Sequence, residues 1–399
     1  MAWVATKLYN TAMWHARKQW EETGKIPTGR KLQEVVFASS LHAYVPAHTY
    51  QHPAHQAGWA FRSWYKLRKK DPTARPPGFR PKGSLSTFMV DAFRMAGSDG
   101  FHITLGPALR KELSYPGKHL LLKLKWNTPF PQDGKVVQMD IVPRDGYFEA
   151  HARILLPEPV WRTEGQVKAI DLGMRNPVVM SDESGATELF KGGEILSTLH
   201  YWNKEKGRVE SEVMGRSGGR KHWSKALSRM STKGARQAGQ AVHALTSTVT
   251  EICAKDGTAK VIIGDLGGIK KEKDGKGKRW TDKPSQNWQQ FPVRTLVAQL
   301  GYKLARHGIQ LIEQDERGTS RGRCSLCGCT DRSKLHRVRR GYFHCENCSS
   351  YQNADENGAR NQIARYLHQE GGLLSGGSSG PLAGPKVWRW NEHRWSVVG

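Results

Sequence analysis

Five of the six cysteines fall between residues 324 and 348. Four of them, Cys324, Cys327, Cys345 and Cys348, are spaced C-x2-C-x17-C-x2-C. Each C-x2-C turn lets two thiolates converge on one ion, and two such turns close a tetrahedral four-sulfur site. With sulfur in every position no place remains for a reactive water, so the spacing predicts a structural Zn2+. Cys329 is then a spare thiol. Five cysteines within 25 residues cannot staple a 399-residue chain, which fits a reduced, cytoplasmic protein with a metal knuckle. The loop between the turns carries Arg332, Lys334, Arg337, Arg339 and Arg340. A rigid basic knuckle suits phosphate contact, with Arg337 and Arg339 as the candidate contacts.

Two carboxylates could do chemistry. Asp171 ends the apolar run VKAID, and Asp355 opens the last helical segment within Asn353-Ala-Asp-Glu-Asn-Gly-Ala-Arg-Asn361. Hydrolysis of a phosphodiester uses carboxylates from separate elements that hold two Mg2+ ions about 3.5–4 Å apart, one activating water and one stabilising the leaving oxygen. Each acid suits a turn or helix-cap role equally well, so these two residues alone leave both readings open. His42, His48, His52 and His55 are irregularly spaced with no carboxylate among them, and read as ordinary surface histidines.

The elements that must position these residues are legible from periodicity. Residues 2–22 place Val4, Leu8, Ala12 and Ala16 on one helical face, ended by Gly24-Lys25-Ile26-Pro27. Helices are predicted over 31–45 and 54–70, followed by a basic, proline-rich loop over 71–84. From 101 the period changes to two, with strands at 101–105, 119–126, 135–142 and 146–155 that suit a small barrel. Then come strands at 167–171, 176–181 and 186–190, helices at 199–212 and 221–255, a strand at 260–264, a helix at 288–307, a strand at 309–314 and a final helix at 355–369. Strand meander, then helix and strand in alternation, is the element order of an RNase H-like domain.

The formal charge of +26 and 37% apolar content, with 14 Trp, 11 Tyr and 11 Phe, describe a folded protein with a strongly basic surface. A polyanionic partner follows, with nucleic acid favoured over lipid. No apolar run has the length of a membrane span, and no signal peptide is expected. The basic residues cluster. Residues 204–236 hold ten Lys/Arg against three Glu, including Arg220, Lys221 and Lys225. Residues 270–283 hold seven against three acids, including Lys270, Lys271, Lys278 and Arg279 beside Trp280. Around the third helix, Trp59, Arg62, Trp64, Tyr65 and Lys66 interleave rings and cations, where core packing of Trp59 and Trp64 is the plain alternative.

The ordered segments VKAIDLGMRNPVVM, VIIGDLGGIKK, WQQFPVRTLVAQLGYKLARHGIQLIEQDERGTSRGRCSLCG and FHCENCSSYQNADENGARNQIA resemble the TnpB family. These are insertion-sequence-encoded, RNA-guided nucleases related to the type V CRISPR effectors and the Fanzor proteins. The resemblance covers about 166–368. It implies a multi-domain α/β (α+β) fold: a helical recognition lobe over 1–100, a wedge β-barrel over 101–165 and an RNase H-like RuvC nuclease domain over 166–319. A zinc-ribbon insertion at 320–353, the last RuvC-like helix at 354–370 and a flexible Gly/Ser-rich tail over 371–399 complete it. By resemblance Asp171 is the first RuvC carboxylate and Asp355 the third. The family's usual second acid, a Glu before Asp-Leu, is Gly264 here. Asp265 cannot replace it, because adjacent strand residues point to opposite faces. A subset of the family uses a Glu on the neighbouring strand before the zinc knuckle, and Glu316 matches that position, with Glu313 the weaker alternative. The 270–283 loop corresponds to the family's lid over the site, gripping a single strand by phosphate pairing and stacking.

The expected activity is Mg2+-dependent cleavage of DNA directed by a noncoding guide RNA, acting on double- and single-stranded target DNA next to a short flanking motif. A monomer without membrane association, nucleoid-bound in the cytoplasm, is expected. The alternatives are a nuclease-inactive RNA-guided repressor or a compact type V CRISPR effector. An actin-like ATPase, also suggested by Asp-Leu-Gly after a strand, would need phosphate and adenosine loops that the sequence lacks.

Overall fold

A computed structural model describes residues 1–46, 48–91, 93–97, 99–125, 133–144, 146–216, 218, 224–265, 291–339, 341–369 and 384–398. They divide into two compact units, Met1–Glu158 and Pro159–Gly399.

In the first unit α1 (Ala2–Thr23) runs to Gly24, which takes φ 63 and closes the helix with its amide on the Trp20 carbonyl. Val4, Leu8, Ala12 and Ala16 are buried, as the spacing predicts. They meet Leu32 and Val36 of α2 (Gly29–Ala38) and Ala54, Ala57, Phe61 and Trp64 of α3 (Gln51–Arg68). The two tryptophans of α3 part company. Trp64 is core, its indole donating to the Ala74 carbonyl at 3.0 Å, whereas Trp59 is 55% exposed and stacks on His55. The proline-rich segment after α3 is laid along α1. Asn10 exchanges two hydrogen bonds with the Arg80 backbone, and Arg17 donates to the Pro77 carbonyl at 2.7 Å.

Six strands follow: β1 (Phe88–Val90), β2 (Phe93–Ala96), β3 (Gly100–Thr104), β4 (His119–Lys123), β5 (Lys135–Pro143) and β6 (Phe148–Leu155). They form two antiparallel sheets, ordered β1-β5-β6 and β2-β3-β4. Phe88, Val90, Phe101, Ile103, Met139 and Ile141 from both sheets share one core, so the small barrel is two sheets closed on each other. β1 and β2 begin before residue 101 because three- and four-residue strands are too short to show a period. A short helix, α4 (Pro107–Glu112), also escaped the sequence pattern.

The second unit is built on a seven-stranded mixed sheet. A meander of β7 (Gln166–Asp171), β8 (Val178–Asp182) and β9 (Thr187–Lys191) is antiparallel. β10 (Thr258–Gly264) lies parallel to β7, and β11 (Gln310–Gln314) lies parallel to β10. This is the RNase H-like order. Helices α5 (Gly193–Arg216), α6 (Lys225–Lys255) and α7 (Val293–Arg306) belong to one face of the sheet, where Ile170, Val261 and Ile263 meet Val242, Leu245, Leu296 and Leu300. On the other face α8 (Ala354–Gln369) packs Ile363 and Tyr366 against Val167, Ala169 and Ile262. Between β11 and α8 a three-stranded ribbon, β12 (Leu335–Arg339), β13 (Tyr342–Cys345) and β14 (Ser350–Asn353), carries the cysteine turns.

The reading of 371–399 as a flexible tail is corrected for its described part. Lys386–Asn391 (β15) and Arg394–Val397 (β16) form a hairpin, and β15 adds to β9 in parallel, giving the sheet order β11-β10-β7-β8-β9-β15-β16. The reason is aromatic burial. Trp388 stacks on Phe190 at 5.4 Å, and Trp395 is buried with its indole donating to the Ala241 carbonyl. The Gly/Ser composition of the preceding segment masked this anchor.

Candidate active site and zinc ribbon

Pleat parity decides which carboxylates can meet. Val167 and Ala169 of β7 and Ile262 of β10 face α8, so Asp171 and Gly264 belong to the same face. On β11, Ile312 also packs against this side, and Gln314 donates to the Gln362 carbonyl of α8. Glu316 continues that parity two residues past Gln314, which pairs with Gly264. A Cβ added at Gly264 would sit 2.9 Å from the Glu316 Cβ and would collide with its carboxylate. Glu316 therefore occupies the space that a side chain at 264 would fill. Asp265 lies one residue past β10 and is exposed, and Glu313 is exposed on the opposite parity.

α8 closes the site from the other side. Asn353 accepts from the Asp355 amide at 2.8 Å, setting the acid in the first turn of the helix. Asn176, after β7, donates to Asp355 Oδ2 at 2.8 Å, and Arg337 of the ribbon approaches Oδ1 at 3.9 Å. Gly358 lies over Asp171, where a Cβ would come within 2.7 Å of Oδ2. Two glycines thus keep side chains out of the space around the acids.

The electrostatics match this crowding. Burial, then the Asp355 carboxylate, then Glu316 push Asp171 well above the usual carboxylate range, and Arg337 opposes them. Burial raises Glu316 to about 7, helped by Asp265 and Asp315. A divalent cation beside Asp171 would remove the repulsion that Asp355 and Glu316 exert on it. The three acids offer the hard oxygen donors that Mg2+ takes, although among the described residues the group whose ligand atoms already lie within 4.8 Å of one another is the cysteine quartet.

The loop carrying Glu316 is fastened to α8 by residues that the sequence reading did not single out. Asn357 and Asn361, one turn apart and buried, donate to the Thr319 and Arg323 carbonyls, and Arg365 donates to the Asp315 and Arg317 carbonyls. The i, i+4 spacing of two asparagines inside a helix, where Asn is a poor helix former, was the available signal.

The four predicted zinc ligands come together. The sulfurs of Cys324, Cys327, Cys345 and Cys348 all lie within 4.8 Å of one another, with Cys324–Cys348 at 3.8 Å and Cys327–Cys345 at 3.6 Å. Tetrahedral Zn–S bonds of about 2.3 Å require sulfur separations near 3.8 Å, so the cluster fits Zn2+. Asn347 and Gln352 aim amides at Cys327 and Cys324, as second partners of zinc thiolates do.

Of the predicted nucleic-acid contacts, Arg62 and Lys66 are exposed on α3, Arg337 reaches toward Asp355, and Arg339 lies over the Tyr342 ring at 5.4 Å. Lys225 opens α6. Its side chain, together with Arg220, Lys221, Lys270, Lys271, Lys278, Arg279 and Trp280, lies outside the described residues. Among the described residues no helix is long and apolar enough to cross a membrane.

The second unit thus has an RNase H-like sheet with a four-cysteine ribbon inserted before its last helix. Residues 151–270 match the OrfB_IS605 family model, described as a probable transposase, and residues 294–362 match the Cas12f1-like TNB domain. Each model matches less than half of the chain, and both fall on the part whose motifs resemble the TnpB family. The fold of the chain is similar to the protein in a cryo-EM structure of a Cas12f1–sgRNA–target DNA complex, at 13% identity and TM-score 0.52, over 90% of this chain and 80% of that one. A second cryo-EM structure, of a CRISPR-Cas12f ternary complex, aligns at 14% identity and TM-score 0.37, over 90% and 79% of the two chains. No curated protein matches the chain.

Proposed function

We propose that this protein is an RNA-guided DNA endonuclease in which Asp171, Glu316 and Asp355 hold Mg2+. The observation that carries this reading is the exchange of side-chain space between Gly264 and Glu316. The strand position lacking its acid is filled by a carboxylate from the loop that follows the next strand. Bound Mg2+ would supply Lewis acidity and a water activated for in-line attack on the phosphodiester. The chain's own groups set the stage. Asn176 orients the Asp355 carboxylate, Arg337 tempers the charge around it, and α8 fixes the Glu316 loop. The ribbon, tied by Zn2+, presents basic residues to the strand, and the division of labour would be guide pairing for sequence and the first unit for a flanking motif. The domain limits stated from the sequence are part of this proposal, with the strands of the wedge starting at β1.

The test is purification of the full chain with any co-purified RNA, followed by cleavage of matched double-stranded DNA. One specific noncoding RNA and Mg2+-dependent cutting, lost in Glu316→Ala and kept in Asp265→Ala, support the reading. Because Gly264 stands where relatives carry Glu, the rival is an inactive RNA-guided repressor. Specific DNA binding with no cutting under any divalent metal would establish that rival instead. A guide transcribed from a CRISPR array would identify a compact type V effector.

A further inference from the structure

A groove of about 1120 Å³ runs beside Asp355 and Arg337 and is bounded by the C-terminal hairpin. Its wall is a row of the parallel β9–β15 pair, Leu189 beside Val387 and Lys191 beside Arg389, all four lining the groove. The alternate row, Phe190 beside Trp388, is packed in the core. Two cations thus stand in register on neighbouring strands. Like charges directly opposed destabilise a sheet, and this sheet needs no such pair for packing. Three register positions earlier, in the row that holds Phe190 and Trp388, the same strands pair opposite charges, with Lys386 meeting Glu188 at 3.6 Å. A third cation, Arg175, lines the groove from the β7–β8 turn. Besides Asp355 the groove holds one further acid, Glu194, against Arg175, Lys191, Arg337 and Arg389, so its cationic wall suits a ligand with negative charges spaced along a chain.

We propose that Lys191 and Arg389, brought together by the C-terminal hairpin, form a phosphate clamp for single-stranded DNA on its way to the carboxylates. The inference rests on the nuclease reading and adds to it a positioning role for a segment after the last RuvC-like helix. A flexible single strand can enter a groove whose floor is one pair of strands, and a cationic wall tracks its backbone. The register pair contributes two adjacent contacts, as a phosphate-tracking wall requires.

The test uses the full chain with its co-purified RNA and a fluorescein-labelled oligodeoxythymidylate, titrated across salt with Mg2+ omitted so that no cutting is needed and the ribbon keeps its Zn2+. Each single-strand phosphate contact contributes about 0.7 to the slope of log K against log salt. The double variant Lys191→Gln/Arg389→Gln is expected to lower that slope by about 1.4, with a melting temperature unchanged or raised because the opposed charges are gone. In cleavage it should raise KM more than it lowers kcat, and the charge-conserving Arg389→Lys should restore the slope. A folded double variant with wild-type slope and KM overturns the clamp. Lys191→Ala/Arg389→Ala gives the same readout if the glutamines perturb folding. A wild type that never cuts, with a slope that still falls in the variant, would defeat the nuclease reading and leave the clamp standing.

Discussion

At the residue scale the site turns on one exchange. Gly264 has no side chain, and Glu316 fills the space from the loop just past the neighbouring strand. Gly264→Glu in the natural background would push two carboxylates into one volume, so cleavage should fall about 10²-fold. Gly264→Glu combined with Glu316→Ala should recover cutting relative to Glu316→Ala alone, as single-turnover rates would show. Protonation gives a second prediction. Burial raises Glu316 from 4.5 to about 7 in the metal-free fold, so the folded state binds more protons than the unfolded chain between these values. Stability of the metal-free protein should therefore decline as pH rises from about 4.5 to about 7, and Mg2+ should reverse the decline. By the same linkage, apparent Mg2+ affinity should weaken as pH falls below about 7, which a fluorescence-detected melt series would read.

At the element scale, α8 is the organiser. Its start carries Asp355, its buried Asn357 and Asn361 fasten the Glu316 loop, and Gly358 leaves room for Asp171. Asn357→Ala removes the acceptor of the Ser325 amide, which donates to Asn357 Oδ1 at 2.8 Å, while Asn361 still holds the Thr319 and Arg323 carbonyls. An unsatisfied buried group costs about 1–3 kcal/mol, so urea unfolding should register a loss of that order and cutting should fall with it. The ribbon just before α8 makes a separate prediction. One Zn2+ per chain should be found by elemental analysis, and Cys345→Ser should abolish it and raise the proteolytic sensitivity of 324–353. The four zinc ligands were legible in the sequence because C-x2-C spacing is local geometry, whereas the three ribbon strands were not placed from the sequence pattern. The asparagine lattice was not legible, because its partners are carbonyls some 34–42 residues upstream.

At the scale of the whole molecule, the C-terminal hairpin is part of the second unit's core. Trp395 is only 6% exposed and lies in the same cluster as Phe190, Ala241 and Val242. Removing a buried Trp side chain typically costs about 3–5 kcal/mol, so Trp395→Ala should lower the melting temperature of the full chain by several degrees. Truncation before Lys386 should do at least as much and expose Phe190 to solvent. The excess charge of +26 is spread over both units, in exposed α3 residues of the first and in the ribbon and groove of the second.

Sequence alone determined what short-range physics controls: the four-cysteine cluster, the helical faces, the meander that opens the second unit and the strand-end position of Asp171. Those features are set by spacing and by the periods of helix and strand, which every few residues repeat. The tertiary structure decided what depends on distant pairing. It joined the hairpin after a Gly/Ser-rich segment to β9, because two tryptophans find a core that composition does not reveal. It brought Glu316 beside the vacancy at Gly264, because parallel register between β10 and β11 carries the parity of one strand across to the next.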